Sequence, residues 1–219
     1  MFKQIDLLTG DQLRQLTDIA ASGNFVDGKI SNPHSTVKNN QQLHDPQPYR
    51  DSSTIMLGAL MGSQEFNDFA FPLSIAPPMI TRYEPGMNYG LHTDAAIIPL
   101  PEGPIRADLS CTIFLSDPES YEGGALHITF GVGEMRFKGK PGTAIVYPSN
   151  TLHEVEPVTS GERLVAISFI ESRIANAEKR NLLYELNEVA ALEGLNMQAD
   201  NFTRLQGVQS NLARFWMGD

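Results

Sequence analysis

Between about Leu73 and Glu171 the chain is cut into short apolar or alternating runs, each closed off by Gly, Pro, Asn or Asp. The clearest are MITRYEP, GLHTDAAIIPL, LSCTIFLS, ALHITFG, EMRFKG, TAIVYP and RLVAISFIES. They are roughly four to eight residues long and rich in β-branched and aromatic side chains, which suit a pleated, half-buried surface. Several such strands at close spacing, each too short to bury a face alone, must close on one another. The expectation is an all-β core of the jelly-roll group.

The flanks have a different period. Thr9 and Asp11 are good helix caps, and Leu13, Leu16, Ile19 and Ala20 follow at helical spacing until Gly23. Residues 31–53 are rich in Asn, Gln, Ser, Pro and His and read as loop with short extended pieces. Ser53–Leu60 reads as a second helix. After Ser172 the 3.6 period returns through Leu182, Leu183, Leu186, Val189 and Ala190. LQGVQSNLARFWMGD reads as a last short helix with Leu212, Phe215 and Trp216 on its apolar side. The predicted plan is mostly β with flanking helices in one domain, 1–219. It has a helix-rich N-terminal part (1–72), a jelly-roll core (73–172) and C-terminal helices (173–219).

The 219 residues carry 26 acidic and 16 Lys or Arg side chains, a formal charge of −10. That balance supplies no basic field for phosphates, so nucleic acid is not the expected partner. No apolar run approaches the ~20 residues that span a bilayer. MFKQIDLLTGDQL lacks the apolar stretch of a signal peptide. With one cysteine there is neither an internal disulfide nor a cysteine zinc site. These features predict a cytoplasmic protein acting on a small-molecule or peptidyl substrate, with no membrane partner. The helical flanks could form a homodimer face.

Chemistry concentrates in three places. His92-Thr93-Asp94 lies in a β-type run, and residues i and i+2 of a strand share a face. One nitrogen and one oxygen ligand then project together. His153 opens a later β stretch. Two histidines and one carboxylate make the facial triad of non-haem Fe(II) oxygenases, which leaves open positions for substrate and O₂. Arg163 follows His153 in HEVEPVTSGERLVAIS. If the turn PVTSGE folds it back towards the metal, its guanidinium can hold a carboxylate bidentately. A dicarboxylate such as 2-oxoglutarate requires that.

The stretches RYEPGMNYGLHTDAAI, DLSCTIFLSDPESYEGGAL and GTAIVYPSNTLHEVEPVTSGERLVAI resemble the PKHD-type hydroxylases, bacterial relatives of prolyl 4-hydroxylase that include an iron-uptake-associated (PiuC/YbiX-like) group. VKNNQQL, ESRIANAEKRNLLYELNEV and SNLARFW extend the resemblance over most of the chain. It implies a double-stranded β-helix (distorted jelly roll) and a 2-oxoglutarate-dependent dioxygenase using Fe(II), 2-oxoglutarate and O₂, with L-ascorbate as reductant. It places the iron ligands on His92, Asp94 and His153, and the 2-oxoglutarate-binding cation on Arg163, with Tyr83 assisting. Tyr89 is a further candidate for that role. The implied reaction hydroxylates a prolyl or other amino-acid residue, releasing succinate and CO₂. Asp94 favours hydroxylation, since related halogenases carry a small residue there.

Other residues have plainer readings. His127 lacks a carboxylate two residues away and reads as an ordinary strand histidine; His34 and His44 lie in the polar N-terminal loop. Lys38, Asn39 and Asn40 could line substrate entry by resemblance. Tyr147 reads as packing, Cys111 as a buried thiol, and Gly123-Gly124 as a turn. Gly131-Val132-Gly133 lacks the third glycine of a dinucleotide fingerprint. Two alternatives keep the β core but change the chemistry: a cupin-like metal protein, which would need H-x-H and a nearby Glu, or a non-catalytic binding module.

Overall fold

The computed structural model describes residues 1–217. Two antiparallel sheets face each other. The larger has eight strands. Its order is Lys3–Asp6, Thr143–Pro148, Leu109–Phe114, Arg163–Ser172, Met79–Tyr83, Gln41–Leu43 and Phe25–Asp27, with Pro72–Ile75 pairing on the long Arg163–Ser172 strand. The smaller has five: Gly133–Phe137, Leu126–Phe130, Leu152–Val155, Asn88–His92 and Lys38–Asn39. Neighbours in space are mostly distant in sequence, as a jelly roll requires.

Alternation divides the larger sheet into two faces. Leu109, Cys111, Ile113, Ala144, Val146, Leu164, Ala166 and Ile170 point outward. They are covered by Leu16 of the Gly10–Ser22 helix, Met56 and Leu60 of Pro46–Gly62, and Phe66 and Phe69 of Gln64–Ala70. The residues between them, Phe114, Ile145, Tyr147 and Val165, point inward with Tyr83 and meet Leu126, Ile128 and Val155 of the smaller sheet. The outer face makes the apolar core and the inner face a cleft between sheets. The Ala177–Glu193 helix adds Leu183, and Tyr184 meets Phe69 edge-on with ring centroids 5.3 Å apart. No helix among the described residues is long and apolar enough to cross a membrane.

The seven runs named from sequence each contain a strand, and the capping box at Thr9 starts the first helix with reciprocal bonds to Gln12. The second helix, expected from Ser53, begins at Pro46. Proline costs nothing at a helix start, where its missing N–H would be unpaired anyway. The segment before it also contributes strands to both sheets, because Lys38–Asn39 and Gln41–Leu43 pair with strands of the β core. The last helix runs over Ala199–Trp216 and buries none of its residues. Leu212 and Trp216 are half-buried, but Phe215 is 70% exposed, contrary to the expected apolar side. Gly218 and Asp219, which close that segment, lie outside the described residues.

Ile113 sits fully buried at the centre of the outer core. Ile113→Ala should cost about 2–5 kcal/mol of unfolding free energy, through lost burial and an unfilled cavity. Urea denaturation checks this, and a loss under about 1 kcal/mol would contradict the layer assignment.

Candidate active site

Asn88–His92 and Leu152–Val155 are neighbours in the smaller sheet, and His92 and His153 stand directly opposite in register. Their rings lie 4.3 Å apart. Each imidazole is oriented by its own backbone. His92 Nδ1 is 2.8 Å from Gly90 O, and His153 Nδ1 is 2.9 Å from Thr151 O. A carbonyl can only accept, so both Nδ1 atoms carry the proton and both Nε2 lone pairs are free. Burial, together with the neighbouring His153, holds His92 below the usual imidazole range, which keeps it neutral as a ligand must be.

The sequence placed Asp94 in the same strand as His92, but the strand stops at His92 and Asp94 lies beyond it. Its backbone N–H donates to Ser149 O, which bends the chain back over the cleft. Asp94 Oδ1 then lies 3.8 Å from His92 Nε2, and Oδ2 lies 3.7 Å from His153 Nε2. One ligand atom from each of the three lies within 4.8 Å of the others, the only such cluster among the described residues. Ser110 Oγ donates to Asp94 Oδ2 at 2.6 Å and lies 2.9 Å from Ser149 Oγ. Ser110 was not singled out from sequence. The signal was there, since alternation in LSCTIF puts Ser110 and Thr112 opposite the core-facing Leu109, Cys111 and Ile113.

Arg163 arrives by another route than the predicted turn. Val158–Gly161 forms its own short strand against Tyr121–Gly123, and Arg163 opens the long strand of the larger sheet. It therefore reaches the cleft from the sheet opposite the histidines. Tyr83 is its register partner, and the guanidinium carbon stands 4.9 Å from the Tyr83 ring centroid. Arg163 is 1% exposed, and its Nε and Nη1 have no hydrogen-bond partner. No carboxylate of the described residues pairs with it. A cation so buried and uncompensated is costly, and it marks the place where an anion completes the site. Donors, geometry and two free nitrogen ligands thus fit both a divalent iron and a dicarboxylate.

Residues around this centre fall as follows. Tyr147 is buried and meets His153 edge-on at 5.3 Å. Tyr89 stacks on His92, with ring centroids 3.7 Å apart and planes 14° apart. Cys111 is buried, and burial pushes its thiol up to about 12. His127 lies on the outer face of the smaller sheet between Glu154 and Glu134, away from the triad. His34 and His44 are exposed. Lys38 is 4% exposed, its Nζ meeting Ser31 Oγ at 2.7 Å and sitting 5.6 Å from the Tyr89 ring centroid.

Comparison with known proteins decides the family. The chain is 63% identical over 216 residues to a PKHD-type hydroxylase of Sphingopyxis alaskensis, covering 99% of both chains. The chain belongs to the PKHD-type hydroxylases. A second member, from Thermosynechococcus vestitus, is 43% identical with 99% of both chains covered. Residues 78–171 match the profile of the 2OG-Fe(II) oxygenase superfamily. Among solved structures, a Pseudomonas putida prolyl-4-hydroxylase shares the fold, with a TM-score of 0.55 at 20% identity over 78% of this chain and 92% of that one. A viral collagen prolyl hydroxylase in complex with 2-oxoglutarate does so too, with a TM-score of 0.52 at 22% identity over 78% of this chain and 96% of that one. This PKHD-type hydroxylase is a 2-oxoglutarate-dependent enzyme with a double-stranded β-helix core, and the family implies Fe(II), 2-oxoglutarate and O₂. The cupin-like and non-catalytic alternatives fall away.

Burial pulls the Lys38 ammonium down to about 8, partly opposed by Asp27 and Asp94. Below pH 8 the folded protein therefore carries a buried charge that the unfolded chain would hydrate. Between about pH 8 and the ordinary lysine value near 10.5 the unfolded chain binds more protons, so stability rises with pH. Lys38→Met should raise the melting temperature of the metal-free protein at pH 7, with a smaller gain at pH 9.5. Scanning calorimetry at the two pH values checks this, and an equal gain at both would refute the burial argument.

Proposed function

We propose that His92, Asp94 and His153 hold Fe(II), and that Arg163, assisted by Tyr83, binds the far carboxylate of 2-oxoglutarate. The enzyme then hydroxylates a C–H bond of a small-molecule or peptidyl substrate carrying a prolyl or other amino-acid residue. The observation that carries this reading is the buried Arg163, with two unpartnered N–H groups, lining the same cleft as the triad. When bound, Fe(II) with 2-oxoglutarate and O₂ supplies the oxidising chemistry: the C–H bond becomes C–OH and the keto acid becomes succinate and CO₂.

The protein's own residues do the positioning. Gly90 O and Thr151 O hold the two imidazoles with Nε2 inward. Ser110 holds one oxygen of Asp94, so the carboxylate is oriented before any ion arrives. Tyr89 packs flat on His92 and limits its ring rotation. Leu126, Val155 and Val165 line the cleft with apolar surface and keep water from the reacting atoms. In that dry space the charge of Arg163 is strong and its planar fork suits a carboxylate.

An amino-acid substrate is supported by the prolyl hydroxylases among the structural relatives, one of them solved with a peptide of hypoxia inducible factor. A net charge of −10 disfavours nucleic acid as that substrate. Ascorbate serves as the reductant that keeps the iron ferrous.

The purified enzyme should convert 2-oxoglutarate to succinate and CO₂ when given Fe(II), ascorbate and O₂, with slow turnover even without substrate. His92→Ala or Asp94→Ala should abolish iron binding. Arg163→Met should weaken 2-oxoglutarate at least tenfold while leaving iron affinity within about twofold, as expected for losing a charge-assisted hydrogen bond. Anaerobic titrations followed by the weak visible charge-transfer band separate the two affinities. If Arg163→Met binds the keto acid as tightly as the parent, the assignment fails.

A further inference from the structure

The residue that meets Tyr83 comes from outside the segment matching the oxygenase superfamily. Asn40 lies between two short N-terminal strands, is 4% exposed, and lines the cleft with Tyr83 and Arg163. Its Nδ2 donates to Tyr83 Oη at 2.8 Å, and its Oδ1 has no partner. Gly28 packs against that Oδ1, and its N–H donates to Asn40 O at 2.8 Å. A Cβ at Gly28 would collide with Oδ1, so the glycine is what lets the carboxamide sit there.

This contact has a directional consequence. A phenol has one hydrogen and accepts on its oxygen. Once Tyr83 Oη accepts from Asn40, its own O–H must point elsewhere. The guanidinium opposite cannot receive it, because Arg has donors only. Burial holds the phenol protonated. The O–H is therefore left as a further donor in the cleft that Tyr83 and Arg163, with its unpartnered Nε and Nη1, both line. A carboxylate is the acceptor that satisfies all three.

We propose that Asn40 is a positioning residue for 2-oxoglutarate: by donating to Tyr83 it turns the phenol O–H towards the carboxylate that Arg163 binds. The inference rests on the assignment of Arg163 and Tyr83 to the keto acid. It makes the N-terminal segment, through Gly28 and Asn40, part of co-substrate binding.

The test is a double-mutant cycle on the 2-oxoglutarate dissociation constant, measured anaerobically on Fe(II)-loaded protein. Tyr83→Phe should weaken binding about tenfold and Asn40→Ala about fivefold, from the loss or misdirection of one hydrogen bond to a charged group. The double variant should be no weaker than Tyr83→Phe alone, because Asn40 acts only through the hydroxyl. A merely structural role would instead lower iron affinity and add to the Tyr83→Phe effect. Should Asn40→Ala fold poorly, Asn40→Asp keeps the shape. Its carboxylate accepts the Tyr83 proton, so it should weaken 2-oxoglutarate further than fivefold with iron affinity retained. Full additivity, or unchanged affinity in Asn40→Ala or Asn40→Asp, overturns the proposal while leaving the Arg163 assignment standing. Unchanged affinity in Arg163→Met overturns both.

Discussion

The site depends on the register of two strand pairs that face each other across the cleft. In the smaller sheet His92 stands opposite His153, and in the larger one Tyr83 stands opposite Arg163. Because successive side chains alternate, a one-residue slip in either pair would send its functional residues to the other face. The long Arg163–Ser172 strand is held against such a slip from both sides. Leu109–Phe114 pairs along one edge, and Met79–Tyr83 with Pro72–Ile75 along the other. Leu164, Ala166 and Ile170 fill the apolar core, and their burial is what aims Arg163 inward.

The same geometry makes the unliganded protein unsatisfied at its centre. Arg163 is a buried cation with two idle N–H groups, and Asn40 Oδ1 is a buried acceptor with none to receive. Such groups cost stability, and the surrounding core offsets it. In the proposed function they would also set selectivity. A neutral ligand would leave the guanidinium uncompensated, whereas a dicarboxylate satisfies it. The histidines follow the opposite rule, since burial keeps His92 neutral and ready for a cation. In the proposed function an anion subsite and a cation subsite share one cleft, with Arg163 from one sheet and the two histidines from the other.

Much of this was legible before the fold was known. Each strand run named between Leu73 and Glu171 holds a strand, because period-two patterning and its Gly, Pro and Asn breaks are local properties. His92, Asp94 and His153 were named as one constellation and do converge. The route was less legible. Asp94 reaches the cleft by a turn pinned to Ser149, and Arg163 by crossing to the opposite sheet. Neither path is written in local spacing. The polar segment 31–53 was read as loop with short extended pieces, and it does hold strands of two and three residues; which strands they pair with was not legible, because the partners lie outside the segment. Alternation placed Ser110 off the core face, but what its hydroxyl meets there, Asp94 and Ser149, is set by the fold.

By itself the sequence determined the class of the core, the helical flanks, and a set of candidate ligands: two histidines, one carboxylate and one arginine of matching chemistry. The core and the flanks follow from periodicity, which acts over a few residues; the ligand set follows from the motifs and from the family resemblance they carry. The tertiary structure decided which sheet each ligand comes from, that Arg163 has no protein counter-ion, and that Asn40 reaches Tyr83. Those depend on long-range strand order and register, set by burying one face of the larger sheet under helices and closing the other over the cleft.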